Sequence, residues 1–147
     1  MKRGKRTSVV FFNASVVLAG LRSPNGGSGK VLLWSKKKKI NGVISEIVFD
    51  EVLRNADKIG LEREEVRGRV SSIFDKILPA PTLSEVNLFK KIVVDFGDAH
   101  ILASCKNSKA HVLVTLDEKH LLAIKKKVKF VNIVSPGELI KRLGERK

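Results

Sequence analysis

Three aspartates lie close together in one stretch, VVDFGDAHILASCKNSKAHVLVTLDEKHLL, which runs from Val93 to Leu122. Asp95 and Asp98 stand where an apolar, strand-like run (Ile92, Val93, Val94) gives way to a helical pattern. Asp117 stands just past a second apolar run, Val112 to Val114. A carboxylate at the end of a buried strand points into the crevice where open α/β sheets bind ligands. Neighbouring strands would bring such acids to one point. Carboxylates crowded into a cleft repel one another, and a divalent cation relieves that repulsion.

The elements that must position these acids can be read along the chain. Ser8 to Phe12 is apolar on both faces, as in a central strand. Asn13 ends it, and Ser15 is expected to cap a helix over Val16 to Leu21. Ser-Pro, Asn-Gly and Gly-Gly mark a loop from Arg22 to Gly29, and a helix is expected from Ser28 to Lys37. Trp34, beside Leu32 and Leu33, is expected to pack rather than to stack on a base. After the Asn41-Gly42 turn, Val43 and Ile44 begin a short strand. Ser45 caps a helix from Glu46 to about Ile59. In that helix Glu51 falls at the margin of the apolar face set by Val48, Val52 and Ala56. A long helix is expected from Glu62 to Leu78, ended by Pro79 and Pro81. Val86 to Val94 reads as either strand or irregular chain. Then follow a helix from Asp98 to Asn107, a strand from Val112 to Thr115, a helix from Lys119 to Lys125 and a strand from Phe130 to Val134. Ser135-Pro136-Gly137-Glu138 is a capping box that starts a final helix. Strands alternating with helices predict an α/β domain with a mainly parallel sheet. Asn13, Glu51, Asp98 and Asp117 can then all reach one crevice at the carboxyl ends of the strands.

Composition bounds the function. A chain of 147 residues favours one domain, here spanning 1–147 with residues 1–6 as a basic tail. No apolar run approaches the ~18 residues of a membrane span. The run from Val9 to Ala19 resembles a leader segment, but Asn13 and Ser15 interrupt it, and it is read as mature structure. With one cysteine, Cys105, no intrachain disulfide can form; a reducing, cytoplasmic setting fits, and Cys105 is expected in the core. The net charge is +14, from 29 Lys and Arg against 15 Asp and Glu. That excess suggests a polyanionic partner, nucleic acid before membrane. Lysine-rich surfaces also occur in heat-adapted proteins, but matching glutamates usually accompany them, and here they do not.

With these pieces in order, the sequence resembles the PIN (PilT N-terminus) domain, the fold of VapC-type ribonuclease toxins. The resemblance covers nearly the whole length. It is carried by VVFFNASVVLAGL, SPNGGSGKVLLW, VISEIVFDEVL (an acid six positions after Ser45), DFGDAHILASC and VLVTLDEKHLL. It implies a PIN-like three-layer α/β/α sandwich. It also implies a site made of Asn13, Glu51, Asp98 and Asp117, with Asp95 as an auxiliary acid and Ser15 and Thr115 as polar groups behind them. The departure is Asn13, where the family has Asp. Asparagine can lend a carbonyl oxygen to a hard cation but supplies neither charge nor a base.

The chemistry so implied is hydrolysis of single-stranded RNA by a nuclease that needs Mg²⁺ or Mn²⁺, ions that prefer oxygen ligands and keep open water positions. In that reading Asp98, Asp117 and Glu51 are the catalytic, metal-binding acids. Such a protein could be the toxin of a toxin–antitoxin pair, with an antitoxin protein as partner and a homodimer as its assembly. The alternative is a degenerate PIN domain that binds RNA or a protein without cutting. Each acid also has a plainer explanation. Asp98 and Asp117 each suit a helix N-terminus, worth about 0.3–1 kcal/mol. Asp95 could pair with a lysine, and Glu51 could be a solvated helix residue or the partner of Arg54. The histidines, His100, His111 and His120, lack zinc-site spacing; His120, nearest Asp117, could touch substrate or simply lie at the surface. Gly26-Gly27-Ser28-Gly29-Lys30 looks like a phosphate loop, but Pro24 and Val31 stand where that motif needs Gly and Ser or Thr, and it follows a helix rather than a strand. The basic runs Lys36–Lys39 and Lys125–Lys127 become an RNA track only if the fold brings them to the acids.

Overall fold

The computed structural model describes residues 8–93 and 96–144. Val10, Phe11 and Phe12 are fully buried, so the first strand, β1 (Val9–Phe12), has protein on both faces and lies at the centre of the sheet. The other strands are β2 (Asn41–Ser45), β3 (Lys76–Leu78), β4 (Val112–Val114) and β5 (Asn132–Val134). They form one five-stranded sheet in the order β3-β2-β1-β4-β5, and every pairing is parallel. The α/β class and the parallel sheet expected from the sequence are borne out.

Parallel neighbours need crossovers, and helices supply them. Helices α1 (Ala14–Arg22) and α2 (Gly27–Lys36) join β1 to β2. Helix α3 (Glu46–Arg54), a 3-10 turn (Ala56–Ile59) and α4 (Arg63–Ile73) join β2 to β3. Helices α5 (Leu83–Asn87) and α6 (Phe96–Ser108) carry the chain back across the sheet to β4, and α7 (Pro136–Gly144) follows β5. Crossovers are right-handed, so reversing direction along the sheet moves the helices to its other face. The contacts agree: α1 to α4 and α7 pack among themselves, while α5 packs on α6 and α6 lies against β1.

Several local expectations are corrected: the Asn41-Gly42 turn is the start of β2, and the helix expected to about Ile59 ends at Arg54, with Ala56–Ile59 a 3-10 turn. The helix expected from Glu62 to Leu78 stops at Ile73. Phe74 turns extended, its ring meeting Phe12 edge-on at 5.1 Å between centroids, and the next residues form the edge strand β3. Asn13, not Ser15, caps α1. The region from Val86, read as strand or irregular chain, opens on the end of α5, a helix started by a capping box of Thr82 and Glu85, and then turns irregularly through Ile92. The helix expected over Lys119 to Lys125 is instead a turn and a short 3-10 segment, Leu122–Ile124. The Leu122 N–H at its start is spent on Asp117 O, five residues back, at 2.9 Å.

Cys105 is fully buried, and burial pushes its thiol pKa up, which agrees with a core role. Trp34 packs against the core, half-buried, with Lys30 Nζ 5.7 Å from its ring centre. The glycine-rich loop follows α1 and opens α2. A side chain at Gly29 would overlap the backbone of Pro24, so this glycine serves close packing of loop on helix.

Candidate metal centre at the sheet switch point

From β1 the chain crosses towards β2; from β4 it crosses towards β5. The two connections leave in opposite directions, which opens a crevice at the carboxyl ends of β1 and β4. Asn13 directly follows β1, and Asp117 lies three residues past the end of β4. Asp98 sits in the first turn of α6. The described residues directly before α6, through Val93, form no strand, and the strand that neighbours β4 on this side is β1. Asp95 lies outside the described residues.

The structure brings Asp98 and Asp117 together. Among the described residues they form, with His120, a group whose ligand atoms all lie within 4.8 Å of one another, each residue half-buried. Glu51 does not join that group. It is exposed on α3, whose buried face is Val48, Val52 and Leu53. Arg54 pairs with Asp50, at 2.9 Å, rather than with Glu51.

The turn carrying Asp117 is tied down by the residues around it. Thr115 is buried; its N–H donates to Val134 O, and its Oγ1 accepts from Asp117 N–H at 3.0 Å. Asp117 Oδ1 accepts from His120 N–H at 3.0 Å, and its carbonyl accepts from Leu122 N–H at 2.9 Å. Leu121 beside it is fully buried. These bonds bend the chain into a turn where the sequence pattern suggested a helix. They also bring the His120 imidazole back over Asp117, with Nδ1 3.4 Å from Oδ2.

A second tether crosses from β1. Asn13 N–H donates to Val114 O, and Asn13 Oδ1 accepts from both Ser15 N–H (3.1 Å) and the Ser15 hydroxyl (2.8 Å). The Ser15 hydroxyl in turn accepts from Leu116 N–H at 3.1 Å. Asn13 and Ser15 therefore lock the end of β1 to the residue just before Asp117. His111 Nδ1 accepts from Val9 N–H at the opposite end of the strands, and His100 lies within α6, two residues after Asp98.

Two carboxylates and an imidazole suit a divalent cation in charge and donor type. Sequence reasoning missed His120 as a member of the group. Its spacing of three residues from Asp117 was the available signal, but it pointed to a helix, where the turn instead folds the ring back. Of the basic runs, Lys36–Lys39 precede β2 and so lie at the far end of the strands from the crevice, with Lys38 ion-paired to Asp75. Lys119 is exposed within the Asp117–His120 turn, and Lys125–Lys127 are exposed on the segment leaving it.

Similar solved structures share this architecture. PAE2754 from Pyrobaculum aerophilum aligns with a TM-score of 0.66 at 21% identity, over 97% of this chain and 99% of that one. A toxin–antitoxin complex from Klebsiella pneumoniae aligns at 0.63 and 22% identity, over 86% of this chain and 97% of that one. VapBC2 from Rickettsia felis, crystallised bound to a DNA fragment from its promoter, aligns at 0.60 and 14% identity, over 86% and 98%. Comparison with curated proteins finds no match. No helix among the described residues is long and apolar enough to cross a membrane. The family model for the PIN domain matches residues 10–127, a span that holds the whole crevice from β1 to the turn after Asp117, and the chain belongs to the PIN domain family.

Proposed function

We propose that the protein is a divalent-metal-dependent endoribonuclease that hydrolyses single-stranded RNA, acting in the cytoplasm as the toxin of a toxin–antitoxin pair. One observation carries the reading: in a PIN domain, Asp98 and Asp117 converge with His120 at the sheet's switch point. Asp98 and Asp117 would hold the ion, with Glu51, Asn13 and Asp95 as the further oxygen donors of this reading. Bound there, Mg²⁺ or Mn²⁺ would neutralise the phosphoryl oxygens and lower the pKa of the attacking water. The chain's own groups do the rest. Thr115 and Ser15 fix the turn so that Asp117 presents Oδ2 while Oδ1 is held by the backbone. Lys119 and Lys125–Lys127 hold the strand by its phosphates, with little base preference and with affinity that falls as salt rises. The similarity to toxin–antitoxin structures supports an antitoxin protein as partner, and a homodimer is the assembly this reading takes.

The test is cleavage of single-stranded RNA by the full chain with Mg²⁺ or Mn²⁺. Activity should vanish with chelator and fall by about a hundredfold or more in Asp117→Asn, which keeps the backbone hydrogen bonds but loses the charge. Cleavage that survives both would refute the reading.

One observation favours a second reading, a PIN domain that binds RNA or a protein without cutting. Asn13 stands where the family has Asp, and its Oδ1 is already occupied by two bonds from Ser15. RNA bound by the parent but left intact, with cleavage appearing in Asn13→Asp, is the result that reading requires.

A further inference from the structure

His120 belongs to the group at the switch point, but an all-oxygen metal site has no use for it. Three features set its imidazole there. The Asp117 carboxylate holds the His120 N–H, so the backbone is fixed before any rotamer is chosen. Leu121, fully buried, anchors the next residue in the core. The ring nitrogen Nδ1 stands 3.4 Å from Asp117 Oδ2. Two donors each bound about 2.0–2.2 Å from one ion stand about 3.0–3.6 Å apart. The Asp117–His120 pair already has the spacing of two ligands on one small cation, and Asp98 closes the group within 4.8 Å.

We propose that His120 is a metal ligand, and that its nitrogen makes this centre select first-row transition ions, Mn²⁺ and more tightly Co²⁺, over Mg²⁺. The inference rests on the metal-centre reading above and goes beyond it. Magnesium favours oxygen donors and sheds water reluctantly, so an imidazole adds little to its binding. Transition ions gain from the nitrogen, and increasingly so from Mn²⁺ to Co²⁺.

The experiment titrates the chelator-stripped full chain with MnCl₂, CoCl₂ and MgCl₂ in a calorimeter, and records the electron spin echo of bound Mn²⁺. Parent, His120→Ala and Asp117→Asn are compared. The parent should bind Mn²⁺ at least about tenfold more tightly than Mg²⁺, with Co²⁺ tighter still. The echo should carry a nitrogen modulation. In His120→Ala the modulation should disappear and Mn²⁺ and Co²⁺ affinities should fall about tenfold or more, while Mg²⁺ affinity stays within about twofold. The His120 side chain is 39% exposed, so this truncation does not threaten the core. If His120→Ala leaves Mn²⁺ affinity and the modulation unchanged while Asp117→Asn abolishes binding, the centre stands and the role of His120 falls. If Asp117→Asn also binds Mn²⁺ as the parent does, the metal-centre reading itself falls.

Discussion

Replacing Ser15 by alanine tests whether the crevice is held together in the way its geometry indicates. The hydroxyl makes two hydrogen bonds, one given to Asn13 Oδ1 and one taken from Leu116 N–H. A net worth of about 0.5–1.5 kcal/mol each sets a gross loss of about 1–3 kcal/mol. Two effects reduce it. Leu116 is 44% exposed, so its freed N–H finds water. Alanine is also the better helix former, by about half a kcal/mol, at a position in the first turn of α1. The expected net loss is about 1 kcal/mol, or roughly 2–4 °C in Tm for a chain of this size. The α1 cap itself survives, because Asn13 Oδ1 keeps the Ser15 N–H. The larger effect should be on the centre, since the residue before Asp117 loses its tether to β1; Mn²⁺ affinity should fall about tenfold, as for other supports of metal ligands. Thermal unfolding by circular dichroism, paired with Mn²⁺ calorimetry, reads both. Asn13→Ala and Ser15→Ala remove the same bond, so their double mutant should fall short of the sum by about 0.5 kcal/mol or more. Unchanged metal affinity together with additive losses would refute the tether.

Asn13→Asp should keep the α1 cap, gain about 0.3–1 kcal/mol from the helix dipole, and raise divalent-ion affinity by adding a charge; an unfolding curve and a metal titration check the pair, and weaker ion binding would count against the crevice. Gly29→Ala should destabilise by about 1–2 kcal/mol net, because overlap with the Pro24 backbone outweighs the roughly 1 kcal/mol that alanine gains in helix propensity; a denaturant midpoint at or above the parent's would contradict it. The carboxyls of Glu85 and Glu138 lie below their ordinary value of 4.5, chiefly because each accepts a bond from the backbone N–H of its capping residue, Thr82 or Ser135. Their contribution is therefore complete above 4.5 and is lost as pH falls through the lowered folded values, so the starts of α5 and α7 should fray in acid. Amide exchange at Thr82 and Ser135, followed from neutral to acid pH, should show protection falling over that window; constant protection would mean that the boxes carry no such linkage.

Much of the fold was legible because it depends on local pattern. Val10, Phe11 and Phe12 announce a strand buried on both sides, and the Ser45 and Ser135 caps mark helix starts through bonds only three residues long. The strands and helices so marked alternate, and that alternation already requires a parallel sheet. The edge strand β3 escaped because Lys76 to Leu78 carries no alternation of its own; it is a strand because β2 offers an open edge and Phe74 is drawn onto Phe12. The aspartates at the crevice were also visible as a pair: either alone suits a helix N-terminus, but two acids, each following an apolar run, point to one place.

What the sequence determined by itself was the class of the fold and the residues Asp98 and Asp117, because hydrophobic period and strand-end placement act over a few neighbours. What only the tertiary structure decided was which groups meet. In the sequence Glu51 lies at the margin of an apolar helix face and His120 near the start of an expected helix, yet His120 joins the two aspartates and Glu51 does not. The reason is that the turn after β4 is shaped by bonds from Ser15, a hundred residues earlier, and from Thr115, itself fastened to β5. No local rule reports a hydrogen bond that the chain must cross the sheet to make.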